Sequence, residues 1–183
     1  ATLISITDIF GCVSVINEER NIIVDQIPVL SMNLNDVCES NPSFIFNQAN
    51  PQGGTYYVND KQTSIFNIDS LPTGDYIITY EYTDPFTTCN NYIEEIISLF
   101  PSPKASFILS PQPADLDDPN IRVVNTSEDF TNLIWNLGEN QIVEDEADFI
   151  YTYSDTGTYT AQLIIINQYN CTDTISQNLT INH

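Results

Sequence analysis

Strict alternation of apolar and polar residues is what most constrains this chain. Tyr76, Ile78, Tyr80 and Tyr82 share one face of an extended segment, and Ile77, Thr79, Glu81 and Thr83 share the other. Successive side chains of a β-strand point to opposite faces, so a period of two predicts strand rather than helix. Leu133, Trp135 and Leu137 alternate in the same way, as do Tyr159, Ala161, Leu163 and Ile165. Ile175, Gln177, Leu179 and Ile181 form a closing strand, and no stretch has a convincing helical period. Turn-forming clusters separate these runs: NPQGG at 50–54, LPTGD at 71–75, SPQPADLDDPN at 110–120 and SDTG at 154–157. Short strands punctuated by such turns predict an all-β chain built of sandwiches.

The same hairpin is written three times. TGTYTAQLIIINQYNCTDT at 156–174 is echoed by TGDYIITYEYTDPFTTCNN at 73–91 and, cut short, by ATLISITDIFGCVSV at 1–15. The cysteines of these hairpins, Cys12, Cys89 and Cys171, are spaced by 77 and 82 residues, which is the length of a module. Proline stands at the joints, Pro28 after NIIVDQI and PSP at 101–103 after EEIISLF, where it ends a strand and stiffens a link. The expected organisation is tandem Ig-like sandwiches of about seven strands each. Residues 1–28 are read as the C-terminal strands of a preceding repeat that opens in mid-strand, 29–101 as one sandwich and 104–183 as another.

Charge narrows the function. Four Lys and Arg stand against 25 Asp and Glu, a formal net charge of −21. Such a surface repels phosphate backbones and anionic membranes, so nucleic acid is not an expected partner. No apolar run approaches the roughly 20 residues of a membrane-spanning helix, so direct membrane insertion is not expected either. Hydrophobic residues make up 42% of the chain, with ten Tyr and nine Phe, enough for packed cores.

Residues 104–183 resemble a PKD (polycystic kidney disease-type) domain. The resemblance is carried by ASF at 105–107, VVNTS at 123–127, NLIWNLGEN at 132–140 and YTYSDTGTYTAQLIIINQYNCTDT at 151–174, in that family's order. Its usual Trp-Asp-Phe-Gly-Asp-Gly run stands here as Trp135, Asn136, Leu137, Gly138, Glu139 and Asn140. The resemblance implies that Trp135 is a core residue and that Gly138 permits the tight turn after it. Both aspartates of the run are absent, so of any family metal site only Glu139 remains. Tyr159, just after Gly157, is read as a corner tyrosine bonding back to its loop. Residues 29–101 are similar to the Ig-like repeats of very large secreted proteins of Bacteroidetes, through VCESNPSFIFNQANPQGGTYYVND, LPTGDYIITYEYTD and CNN. A PKD-like module after such repeats is similar to the region preceding the sorting domain of type IX-secreted, SprB-like gliding adhesins.

The four cysteines have no zinc-type spacing, and the single histidine, His183, leaves a catalytic cysteine without a base. A disulfide in an exported protein is the expected use. The expected pair is Cys38 with Cys89, near the first strand and the last hairpin of the same sandwich, while Cys12 and Cys171 are left without an assigned partner. Asp115, Asp117 and Asp118 are candidate calcium ligands, with Glu144, Asp145, Glu146 and Asp148 a second acidic cluster. Neither has the spacing of a calcium loop, and solvated acidic loops are the competing reading. Calcium is thus the one cofactor left open. Asn125, Asn170 and Asn178 begin glycosylation-type triplets, and Asp69-Ser-Leu and Asp173-Thr-Ile resemble O-glycosylation sequons of Bacteroidetes.

No nucleophile–histidine pair, phosphate loop or metalloprotease motif is present, so an enzyme is not expected. The leading expectation is a non-catalytic stalk or adhesion module of a large secreted adhesin on the outer-membrane exterior, linked to gliding or attachment. Its partners would be neighbouring repeats of the same chain and, beyond them, surface glycans or other cell-surface proteins. The alternative is a carbohydrate-binding accessory of a secreted hydrolase, for which a row of exposed aromatics on one sheet face is the discriminating feature.

Overall fold

The computed structural model describes residues 5–7, 9–15, 25–139 and 142–183. Residues 1–4, 8 and 16–24 of the expected N-terminal tail, and Asn140 of the Trp135–Asn140 run, lie outside the described residues. The chain is all-β, 52% strand and 2% helix, and forms tandem sandwiches.

Near the N-terminus, β1 (Ser5–Thr7) and β2 (Val13–Val15) form an antiparallel pair. Seven strands follow: β3 (Val37–Cys38), β4 (Phe44–Ile45), β5 (Thr55–Val58), β6 (Lys61–Gln62), β7 (Ile65–Phe66), β8 (Gly74–Thr83) and β9 (Asn90–Phe100). They make a five-stranded sheet in the order β3-β9-β8-β5-β6, faced by the β4–β7 ribbon. A 3-10 turn at Ile68–Ser70 leads into β8. Eight more strands follow: β10 (Phe107–Ser110), β11 (Ala114–Asp115), β12 (Asn120–Asn125), β13 (Asn132–Asn136), β14 (Ile142–Glu144), β15 (Asp148–Thr152), β16 (Gly157–Ile166) and β17 (Thr172–Asn182). Here a five-stranded sheet, β11-β17-β16-β13-β14, faces a three-stranded one, β10-β12-β15.

Each sandwich has its own core. One cluster is drawn from residues between Leu30 and Leu99 and includes Phe46, Phe66, Ile78, Tyr80 and Ile97. The other is drawn from residues between Ala105 and Ile181 and includes Trp135, Leu137, Leu163, Ile165 and Leu179. The alternation has its physical consequence here: along β8, Tyr76, Ile78 and Tyr80 are buried, whereas Ile77 and Glu81 are exposed.

Both sandwiches repeat one topological device. The polypeptide enters along one layer, through the Ser31–Asn50 bridge or through β10. It then crosses to the other layer, where β3 or β11 lies parallel to the end of the last strand. Cys38 is thereby placed beside Phe100, and Ala114 beside Ile181. The last strand of each is the longer partner of a ten-residue hairpin ladder, β8 with β9 and β16 with β17.

Candidate functional site at the joint between the sandwiches

The link from the first sandwich to the second runs through Pro101, Ser102 and Pro103. Proline fixes its own φ and offers no N–H, so two of them in three residues stiffen the segment. Ser102 is tied back to the first sandwich: its Oγ accepts from the Ser40 amide at 2.9 Å and donates to Ser40 Oγ at 2.9 Å. On the far side, the Ala105 amide donates to Asp173 Oδ2 at 2.8 Å, and Lys104 and Glu128 exchange two backbone bonds.

The tip of the β16–β17 hairpin, Asn167 to Cys171, closes over this link. The Asn167 amide donates to the Cys171 carbonyl, and the Asn167 Oδ1 accepts from the amides of Tyr169 and Cys171, each at 3.0 Å. Its Nδ2 donates to the Pro101 carbonyl at 2.8 Å. Asn167 is one of the few buried polar residues, and this set of bonds satisfies its amide on both sides. Asn170 has φ 61°, a left-handed conformation that asparagine tolerates better than most residues. The tip therefore presents Tyr169 and Cys171 to the first sandwich. Tyr169 stacks on Phe100 with centroids 4.4 Å apart and planes 8° from parallel. Cys171 is bonded to Cys38, with Cα atoms 5.8 Å apart. Cys38 and Phe100 are register partners on neighbouring strands, so the two contacts form one two-point attachment.

This disulfide corrects the expected pairing of Cys38 with Cys89. Cys89 has a free thiol. It closes the tip of the β8–β9 hairpin, whereas Cys38 lies beside Phe100 at the other end of β9. The eleven residues of β9 span about 35 Å, far beyond the ~7 Å Cα separation a disulfide tolerates. The sequence placed both cysteines in one module but did not reveal that they stand at opposite ends of it. The partner left unassigned, Cys171, is supplied by the next sandwich. Such a bond persists in oxidising surroundings rather than in a reducing cytosol.

The other residues singled out from sequence take structural positions. Trp135 is fully buried, with its indole N–H donating to the Glu146 carbonyl at 2.9 Å. Gly138 has φ 89°, and a Cβ there would meet the Thr160 backbone at 3.2 and 3.3 Å. Tyr159 donates to the Asp155 carbonyl at 2.9 Å. Glu139 accepts from Tyr151 Oη on one carboxylate oxygen and from Ser154 Oγ on the other, both at 2.9 Å, so its role here is to hold a loop. Burial, with Glu139 beside it, pushes the Tyr151 phenol up to about 12. Burial raises Tyr153 further, and its hydroxyl donates to the Leu137 carbonyl.

Asp115, Asp117 and Asp118 occupy one turn, where the Asp118 amide donates to the Asp115 carbonyl and Asn120 Nδ2 donates to Asp118 Oδ1. Among the described residues, no three His, Cys, Asp or Glu side chains come together to hold a metal. In the second acidic cluster Asp145 caps the Leu133 amide, and Asp148 stands 4.0 Å from Arg122.

No protein-family profile matches the chain, and no curated protein does. Among solved structures it is similar to the PKD1 domain of the Vibrio cholerae metalloprotease PrtV (22% identity, TM-score 0.40), covering 45% of this chain and 99% of that one. The PKD1 domain of Vibrio anguillarum Epp is similar at 20% identity and TM-score 0.39, over 44% of this chain and 94% of that one. A third likeness, at 23% identity and TM-score 0.41, is to carbohydrate-binding modules of the β-sandwich superfamily; it covers 44% of this chain and 34% of that one.

Proposed function

We propose that this chain is a non-catalytic, load-bearing spacer within a large exported cell-surface protein of the adhesin type. The observation that supports it most is the joint: Cys38–Cys171, the Phe100–Tyr169 stack and the Asn167–Pro101 bond together fix one sandwich against the next. A flexible tether needs none of these. In this reading the modules are residues 29–101 and 104–183, and residues 1–28 are the tail of a preceding one. The parallel terminal pairs, β3 with β9 and β11 with β17, fit the same role. While the disulfide is intact, tension crosses from Cys38 to Cys171 and bypasses these pairs; once it is reduced, pulling the ends of a sandwich apart loads the hydrogen bonds between its terminal strands in shear, all at once rather than one by one. The acidic surface favours an extended, soluble rod through mutual repulsion. The gliding-type, type IX-secreted assignment and the outer-membrane exterior rest on the sequence resemblance.

The test is replacement of residues 29–183, in the exported protein, by a Gly/Ser linker of equal residue count. Surface display should persist while attachment under flow falls by at least half. Unchanged attachment would overturn the spacer reading.

A second reading, a glycan-binding surface, is favoured by one observation. On the outer face of β5, β8 and β9, Tyr92 is 62% exposed in its residue and half-buried Tyr57 lies across β8 from it, with Thr79, Glu81 and Glu94 between them. Flat aromatic faces beside hydrogen-bonding side chains suit pyranose rings. Glycan-array binding that disappears in Tyr92→Ala would support it, and an array with no signal would remove it.

A further inference from the structure

The attachment between the two sandwiches has an unused counterpart. The β8–β9 tip, Asp84 to Cys89, is built like the Asn167–Cys171 tip. In both, the backbone amide of the first residue donates to the carbonyl of the closing cysteine, at 2.9 and 3.0 Å. The first side chain in both caps the turn: Asp84 Oδ1 accepts from the amides of Phe86 and Thr87, as Asn167 Oδ1 accepts from those of Tyr169 and Cys171. The residue before each cysteine, Thr88 or Asn170, has φ 61°. Two positions into each tip stands an aromatic ring, Phe86 or Tyr169. The two differ in what they touch. Tyr169 stacks on the preceding sandwich and Cys171 is bonded to it, whereas Phe86 is 94% exposed and Cys89 carries a free thiol.

The surroundings of the unused tip also match. Asn167 reaches the carbonyl of Pro101, the first residue of the link that precedes its sandwich, at 2.8 Å. Asn91, two residues past Cys89, reaches the carbonyl of Pro28, the corresponding proline one module earlier, at 2.9 Å. Ile27, exposed immediately before Pro28, takes the place that Phe100 holds before Pro101. The start of β9, next to the Asp84–Cys89 tip, is thus tied to the upstream link, as the Asn167–Cys171 tip is tied to the downstream one.

We propose that the Asp84–Cys89 tip is the docking element for the module upstream. Cys89 forms an inter-module disulfide with a cysteine on the strand of that module that runs beside the Ile27 position, as Cys38 runs beside Phe100. Phe86 packs on that strand end. This rests on residues 1–28 being the tail of a preceding sandwich. On a module-length period the partner cysteine stands roughly 40 residues upstream of Ala1. Formation removes one proton and one electron from each of the two thiols. The two electrons and two protons reduce one disulfide of an oxidant, a small-molecule or protein dithiol in its oxidised form, to a pair of thiols. The device is directional. Residues 104–183 contain no cysteine but Cys171, so the sandwich they form cannot offer the same attachment to a module on its C-terminal side.

The four cleavage sites for trypsin, Arg20, Lys61, Lys104 and Arg122, put each cysteine on its own peptide. The natural full chain, exported, alkylated and digested without reduction, should give peptide 62–104 joined to a peptide from upstream of Ala1, beside 21–61 joined to 123–183. Cys89→Ser should leave the second pair intact and expose one additional alkylatable thiol per chain, on the upstream peptide. Peptide 62–104 recovered alkylated, or joined through Cys12 to the peptide that ends at Arg20, overturns the proposal. Circular dichroism of the upstream region separates the causes. A region without strand content refutes the reading of residues 1–28 and the proposal with it, whereas a strand-rich region with alkylated Cys89 refutes the proposal alone. Attachment is not a readout here, so neither result bears on the spacer role.

Discussion

In the first sandwich the core is a run of aromatic rings, whereas in the second it is aliphatic side chains gathered around one indole. Phe46 stacks on Tyr56 at 4.9 Å, Tyr56 lies 4.6 Å from Tyr80, and Phe66 meets Tyr76 edge-on at 5.6 Å. Two of those phenols secure the loop before β5: the Ala49 amide donates to Tyr56 Oη, and Tyr80 Oη both donates to the Pro51 carbonyl and accepts from the Gly54 amide. That contact requires glycine, because a Cβ on Gly54 would lie 2.2 Å from the Glu81 carbonyl. In the second sandwich Trp135 is flanked edge-on by Phe107 and Phe149 and Tyr153 meets Tyr151 and Tyr159, but aliphatic residues such as Leu133, Leu137, Leu163 and Ile165 make up most of the core. What the two share is backbone-level: the long last hairpin, the parallel terminal pair and the Gly-x-Tyr corner. The filling of a core can change as long as volume and pattern are kept; the features that steer the chain change less freely.

If the cores are independent, large truncations should stay local. Trp135→Ala and Phe66→Ala should each cost about 3–5 kcal/mol by loss of burial and cavity formation. Hydrogen exchange should show protection falling over residues 105–181 for the first and over 30–99 for the second. Loss spread over both regions from either variant would break the comparison.

The corners sharpen it at smaller scale. Tyr76 donates to the Pro72 carbonyl and Tyr159 to the Asp155 carbonyl, each four residues back. Tyr76→Phe and Tyr159→Phe should each cost about 1 kcal/mol, the net value of one hydrogen bond, in denaturant titrations. A cost confined to one of the pair would mean that the corners are not equivalent.

Alkali should separate the sandwiches by sign and order. Tyr151 and Tyr153 hold their protons in the fold to a higher pH than the ordinary tyrosine value near 10, Tyr151 to about 12. A group whose pKa is raised by folding contributes fully below its unfolded value, and the contribution is lost as pH climbs through the folded one. The second sandwich should therefore weaken between about pH 10 and 12, ahead of the first, where burial raises Tyr56 by less. Near-ultraviolet dichroism of Trp135 against pH, alongside the exchange map, would detect it.

Salt should discriminate least. With Asp115, Asp117 and Asp118 confined to one turn and no three such side chains converging among the described residues, sodium and calcium chloride at matched ionic strength should give superimposable melting curves through screening alone. A calcium-specific rise of several degrees would support the metal reading of that turn.

Much of the fold was legible because a period of two depends only on neighbouring residues. Tyr76 to Tyr82 and Tyr159 to Ile165 declare strands wherever they pack. The joint was not legible in the same way. Cys38 and Cys171 are 133 residues apart, and their meeting depends on which end of each sandwich faces the other. A signal was present nonetheless: Phe10, Phe86 and Tyr169 each precede a hairpin cysteine by two or three residues, a recurrence that a strand interior does not require. Asn167 gave no such signal, since its worth lies in a proline carbonyl contributed by the link.

The central claim is that the joint carries load, and pulling tests it most directly. With the chain held at residues 29 and 183, tension entering at Cys38 crosses to Cys171 through the disulfide. The intervening 133-residue separation then stays hidden, even when both sandwiches unfold. At about 3.4 Å per residue, the fully unfolded chain should extend roughly 450 Å less when oxidised than after reduction. Equal extensions in the two states would contradict it.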